Sequence, residues 1–216
     1  MLPSPAVDHS TLDLIADLQS KQYLKDFHLA GGTALAIGLG HRRSVDIDLF
    51  TTFDFDTAAL QEQLYHDFQF SVHYSAPNTL KGSIRGIQID CLAHRYPLVA
   101  APVAEEGITI LSTQDIIAMK LNAVSASGQR VKDFIDIYFL LQKYSLREML
   151  SFYSQKYSLN NEAIVLKSLI WFEDAVLSDW PVMIREPRLS WAQVKKSLNK
   201  AVREYLSSGK FAHGDS

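Results

Sequence analysis

Along the first half of the chain, apolar positions switch between two periods. In "STLDLIADLQSKQYL", Leu14, Ile15 and Leu18 recur at helical spacing, and Ser10 followed by Asp13 predicts a capping box at the start of that helix. "FHLAGG" predicts a short strand ending in a glycine turn, and "TALAIGLG" a helix of small residues stopped by Gly38 and Gly40. "SVDIDLF" alternates: Val45, Ile47 and Leu49 share one face of a strand, Asp46 and Asp48 the other. A helix capped by Asp56 follows in "DTAALQEQLYHDF". "FSVHYSAPNTLKGSIRGIQIDCLAH" then predicts two or three strands turning around Pro77 and Asn78.

Beyond "RYPLVAAPVAEEGITIL" the period becomes helical. Ser112 and Asp115 repeat the capping-box pattern ahead of "STQDIIAMKLNAV", which "SASG" closes. "RVKDFIDIYFLLQKY" is apolar around most of its circumference and is predicted to be a buried helix. Helical signals return in "LREMLSFYSQKY", "NNEAIVLKSLIWFEDAV" and "WAQVKKSLNKAVREYL", and the tail "SGKFAHGDS" is expected to fray. The change of period divides the chain into an α/β domain over residues 1–110 and a helical domain over 111–216.

Composition narrows the function classes. A formal net charge of -3 over 216 residues gives no global basic field, so any contact with nucleic acid must come from local Lys and Arg clusters. Cys91 is the single cysteine, which excludes an internal disulfide and suits a reducing compartment. "MLPSPAVDHS" lacks the basic start and apolar core of a signal peptide, and no apolar run nears the roughly 20 residues a membrane span needs. The expectation is a soluble cytoplasmic protein without a membrane partner.

Candidate chemistry centres on the aspartates. Two carboxylates on one strand face repel unless a cation lies between them, and hard oxygen ligands suit Mg²⁺. The alternative is structural, with one aspartate capping a turn and the other paired with Arg42 or Arg43. Gly31, Gly32 and Thr33 lie between a strand and a helix, where backbone N–H groups attract phosphate, although a plain tight turn explains them as well. Asp90, inside the apolar run "GIQIDCLA", needs a partner, either a metal or a backbone hydrogen bond. Cys91 on the apolar face reads as core. His9, His28, His66, His73, His94 and His213 show no metal-ligand spacing. Lys195, Lys196, Lys200 and Arg203 line one face of the last predicted helix, opposite Trp191, Val194, Leu198 and Ala201; that face either holds RNA backbone or is simply solvated.

The order of glycine turn, short helix, D-x-D strand and a later strand with a third aspartate resembles the nucleotidyltransferase superfamily that includes DNA polymerase beta. "LAGGTALAIGLGHRRSVDIDLF" and "STQDIIAMKLNAVSASGQRVKDFIDIYFLL" resemble more closely its AbiEii/AbiGii toxin branch, over about residues 24–145. The resemblance implies an α+β nucleotidyltransferase fold, with a short mixed β-sheet flanked by helices and a C-terminal helical part. It implies that Gly31, Gly32 and Thr33 hold a nucleoside triphosphate, with Gly32 standing where many relatives have serine. Asp46, Asp48 and Asp90 would bind Mg²⁺ or Mn²⁺, and Asp90 would also help deprotonate the acceptor hydroxyl. Lys120 falls where the family has a lysine able to hold a phosphate oxygen; by itself it reads as a solvated helix lysine. Asp133 and Asp136 match an acidic helix motif, their alternative being pairs with Arg130 or Lys132. "HRR", His41 to Arg43, is a candidate to steady a triphosphate or an acceptor strand, with Arg43 the nucleotide-binding candidate; a solvated loop is the alternative.

The expected activity is transfer of a nucleoside monophosphate from an NTP to an acceptor hydroxyl on the tRNA 3′ end, another RNA or a protein, with release of pyrophosphate. The toxin branch also implies a cognate antitoxin. The rival is a non-catalytic nucleotide-binding module of the same fold, which the intact aspartate trio disfavours. A phosphohydrolase using the same metals is the third choice.

Overall fold

Two tight turns fix the strand register of the first half. Arg85 and Gly86 both take positive φ (53° and 81°), the signature of a two-residue hairpin turn, and join β4 (Thr79–Ile84) to β5 (Ile87–Ala93). Glu106 and Gly107 do the same (48° and 82°) between β6 (Val103–Glu105) and β7 (Ile108–Ile110). The computed structural model describes residues 5–158 and 162–210. Within them the remaining elements up to Ser112 are α1 (His9–Gln19), a 3₁₀ turn (Gln22–Leu24), β1 (His28–Ala30), α2 (Gly31–Leu39), β2 (Ile47–Thr51), α3 (Thr57–Phe68) and β3 (Ser71–Ala76).

Among the described residues these strands form one seven-stranded sheet in the order β3-β4-β5-β2-β1-β7-β6. It is mixed: β2 runs parallel to β5 and β1 parallel to β7, and the other neighbours are antiparallel. One face is apolar, with Ile47, Leu49, Leu80, Ile84, Ile89 and Cys91 all buried. The opposite face carries Asp48, Asp90 and Lys81. The chain forms two compact units, the first ending at Ser112 and the second beginning at Thr113. The second is helical: α4 (Thr113–Ala126), α5 (Val131–Leu140), α6 (Leu146–Tyr157), α7 (Glu162–Leu169), a 3₁₀ turn (Leu177–Asp179) and α8 (Trp191–Lys210). The α+β architecture is the one expected.

Local details depart from the sequence expectations for physical reasons. α1 begins at His9 after Asp8, whose carbonyl accepts from Thr11 and Leu12, and Ser10 lies within the helix instead of capping it. Gly31 and Gly32 open α2 instead of forming a separate turn, and Gly38 sits inside that helix; the left-handed stop is Gly40 alone (φ 60°). Strand β2 starts only at Ile47, because the preceding segment is held elsewhere: Ser44 N–H donates to the Ala6 carbonyl at 2.9 Å. Val45 is therefore half exposed while Ile47 and Leu49 are fully buried. The hairpin β6–β7 falls in a stretch read only as a break, and it extends the sheet next to β1. α7 stops at Leu169, and Phe172 beyond it packs against Phe134 and Trp191 (ring centroids 5.8 and 5.5 Å). Asn160, Asn161 and the tail beyond Lys210, including His213, lie outside the described residues.

The structure bears out the cap at Asp56 and adds one at Ser145, and the two differ in kind. Ser145 and Glu148 form a reciprocal capping box. The Asp56 carboxylate accepts from the Ala58 and Ala59 N–H groups at 2.9 and 3.1 Å. Asp56→Ala removes both bonds, and chemical denaturation is expected to show a loss of about 1 kcal/mol.

Candidate active site

The site in the first unit is built from one row across the sheet. Reading along the register, Ala30 on β1 is opposite Asp48 on β2, Asp48 opposite Asp90 on β5, and Asp90 opposite Lys81 on β4. Directly paired residues point to the same face, so both carboxylates and the ammonium emerge together. The Lys81 Nζ lies 2.5 Å from Asp90 Oδ2, with both side chains partly exposed. That ion pair supplies the positive charge the acidic strand pair requires.

At the Ala30 end the chain turns straight into α2. Gly31 has φ +66°, and a Cβ placed there would lie 1.9 Å from Asp48 Oδ2. The Asp48 carboxylate thus sits directly against the helix start, and only glycine leaves room for it. A Cβ on Gly32 would meet the Arg42 guanidinium at 2.5 Å. Thr33 is buried; its hydroxyl donates to the Asp46 backbone carbonyl and accepts from the Ser44 hydroxyl. Thr33 therefore pins the segment that presents Asp46, which precedes β2 and is exposed.

Of the first-unit candidates, Gly31, Asp48 and Asp90 come together, Thr33 holds the Asp46 segment, and Gly32 abuts Arg42. Among the described residues no three His, Cys, Asp or Glu side chains are grouped so as to hold a metal ion. What the row offers is a pair of hard carboxylates with a glycine cradle beside it. That donor set fits Mg²⁺, which takes one or two protein carboxylates and fills its octahedron with substrate phosphates and water.

"HRR" is not a solvated loop: His41 and Arg42 are buried, and only Arg43, the residue singled out from the sequence, is exposed. Arg42 donates to the Arg43 carbonyl at 3.1 Å, and its place against Gly32 went unread. Lys81 was missed too. The signal was available, since a two-residue Arg85–Gly86 turn sets Lys81 opposite Asp90 by counting. Cys91 is core as read; burial, and then the neighbouring Asp90, push its thiol up to about 12.

The second unit holds the other candidates. Lys120 on α4 places Nζ 2.6 Å from Asp133 Oδ1 and 2.7 Å from Asp136 Oδ2, both on α5. Lys120 is thus buried between two carboxylates and not solvated. Arg130 approaches the other Asp133 oxygen at 3.6 Å, so the Arg130 pairing weighed as an alternative is present alongside. Asp115, also on α4, pairs with Lys156 of α6 at 2.7 Å, and both side chains are almost fully buried. On α8, Val194, Leu198 and Val202 are buried, while Lys196, Lys200 and Arg203 are exposed.

The mixed sheet with its helices is a nucleotidyltransferase fold, which solved structures share. MenT4, a nucleotidyltransferase toxin of Mycobacterium tuberculosis, superposes with a TM-score of 0.60 at 14% identity, over 89% of this chain and 80% of that one. JHP933 from Helicobacter pylori superposes at 0.54 with 15% identity, over 97% and 100%. An uncharacterised protein of Aquifex aeolicus is 35% identical over 189 residues, 85% of this chain and 89% of its own length. The model of the AbiEii nucleotidyl transferase toxins of type IV toxin–antitoxin systems matches residues 13–207, and the chain belongs to that family. Among the described residues no helix is long and apolar enough to cross a membrane.

Proposed function

We propose that this chain transfers a nucleoside monophosphate from an NTP to an acceptor hydroxyl on RNA, the tRNA 3′ end being the first candidate, and that a divalent cation is required. The observation that carries the proposal is the register pair Asp48–Asp90 abutting the Gly31 turn. In the transfer the acceptor oxygen bonds to the α-phosphorus as the bond from that phosphorus to the oxygen bridging to the β-phosphate breaks. The hydroxyl proton passes to Asp90, and pyrophosphate leaves. Such reactions rest on positioning and charge neutralisation more than on covalent chemistry. Asp48 and Asp90 would hold Mg²⁺ or Mn²⁺, with Asp46 on the neighbouring segment that Thr33 holds; when bound, the metal would neutralise the charge developing on the phosphate oxygens. Gly31, Gly32 and Thr33 at the start of α2 would receive the triphosphate, aided by Arg43. As a toxin of this family, the chain would be opposed in the cell by a cognate antitoxin.

The test is incubation with Mg²⁺, each labelled NTP in turn and total tRNA. Label on tRNA that disappears with EDTA supports the proposal. Label on protein alone corrects the acceptor, and tight NTP binding without transfer favours the regulatory module.

A further inference from the structure

The row of paired residues does not end at Lys81. Strand β3 carries an irregularity between Val72 and Tyr74, and past it Tyr74, not His73, stands opposite Lys81. The extra residue moves Tyr74 onto the face that bears Lys81 and Asp90, while Ser75 pairs with the buried Leu80 on the opposite face. Bulges recur beside active sites, where they re-aim a side chain. Here the re-aimed ring is 55% exposed. Asp48, Asp90, Lys81 and Tyr74 thus occupy four consecutive strands, a span of about 14 Å at the usual strand spacing.

The chemistry along this row is graded. Gly31 flanks Asp48 at one end, which is the side proposed for the triphosphate. At the other end an ammonium and then an aromatic ring follow the carboxylates. An ammonium has three N–H donors, and Asp90 takes one from Lys81, whose side chain is 41% exposed. A phosphate approaching two aspartates is repelled unless positive charge stands beside them, and Lys81 supplies some of it at the Asp90 end. An ammonium next to an exposed ring is the minimal set for a single-stranded nucleic acid, one holding the backbone and the other stacking a base.

We infer that the open face of β5, β4 and β3 binds the end of a single-stranded polynucleotide acceptor. Its terminal hydroxyl lies at Asp90, its last phosphodiester on Lys81 and a base against Tyr74. This rests on the transfer reaction proposed above and names the residues that would hold its acceptor.

Binding of a short fluorescent single-stranded RNA to the full chain, followed by anisotropy across a NaCl series, tests it. Lys81→Ala is expected to bind about tenfold more weakly and to lower the slope of log affinity against log salt by about 1, as loss of one phosphate contact does. Tyr74→Ala is expected to bind about tenfold more weakly with the slope unchanged, and Tyr74→Phe to bind like the parent. Lys81→Arg keeps the charge and should retain binding with the parental salt slope; the slope change in Lys81→Ala is what separates phosphate contact from mere support of Asp90. Failure of the parent protein to bind RNA, or parental binding by both alanine variants, overturns the site. Label transfer assayed in parallel separates the two proposals: transfer to protein without RNA binding sinks this site and spares the transferase. Lys81- and Tyr74-dependent binding without any transfer does the reverse.

Discussion

Lys120→Met is expected to destabilise the chain by about 3–5 kcal/mol, the penalty for removing one partner from a buried ion cluster. The methionine side chain is of similar length, so no large cavity opens. What remains is Asp133 and Asp136, side by side on α5 and almost fully buried, without the ammonium that lay 2.6 and 2.7 Å from them. Arg130, at 3.6 Å and mostly exposed, compensates only Asp133 and only weakly. Urea denaturation would measure the loss, and 1 M NaCl should restore little of it, because buried charges are poorly screened. Adding Asp133→Asn and Asp136→Asn removes the stranded charges and should recover most of the stability. The recovered triple variant also isolates chemistry from folding: if it folds well yet transfers no label, the cluster serves the reaction as well as the packing of α4 on α5.

That cluster shows how far a sequence can be read. Spacing puts Asp133 and Asp136 on one helical face, and the family resemblance marks them together with Lys120. Nothing in the local pattern says that the lysine lies between them, because the contact joins two helices. Asp115 is sharper still. It sits where a capping-box acid would, and its partner Lys156 comes from 41 residues further on. In the first unit, the parts governed by local physics were legible: the alternation of β2 and β5, the Asp56 cap, the glycine-rich start of α2. The strand order was not, since β2 pairs in parallel with β5 across two intervening strands and a helix. The Asp48–Asp90 pair follows from that order. Short strands such as β6 and β7, three residues each, carry too little periodicity to announce themselves.

Gly31→Ala is expected to cost more in transfer than in stability. The added Cβ would fall 1.9 Å from Asp48 Oδ2, 2.7 Å from its Cγ and 3.1 Å from its Cβ, so rotating the carboxylate away does not clear the overlap. Strand β2 or the start of α2 has to shift. The positive φ of 66° adds about 1–2 kcal/mol of backbone strain for a residue with a side chain. A catalytic group displaced by about 1 Å loses on the order of 100-fold in rate, and Asp48 is the group displaced. Single-turnover transfer of label should therefore fall about 100-fold, while thermal unfolding shows a loss of only a few kcal/mol. Gly38→Ala is the matched control: it lies in the same helix with nothing within 4 Å of an added Cβ. Alanine there should leave transfer unchanged and raise stability by about 0.5–1 kcal/mol, the ordinary helix-interior gain. Equal effects at the two glycines would mean that crowding of Asp48 is not what makes the α2 start sensitive, and the carboxylate row would lose its claim to the chemistry.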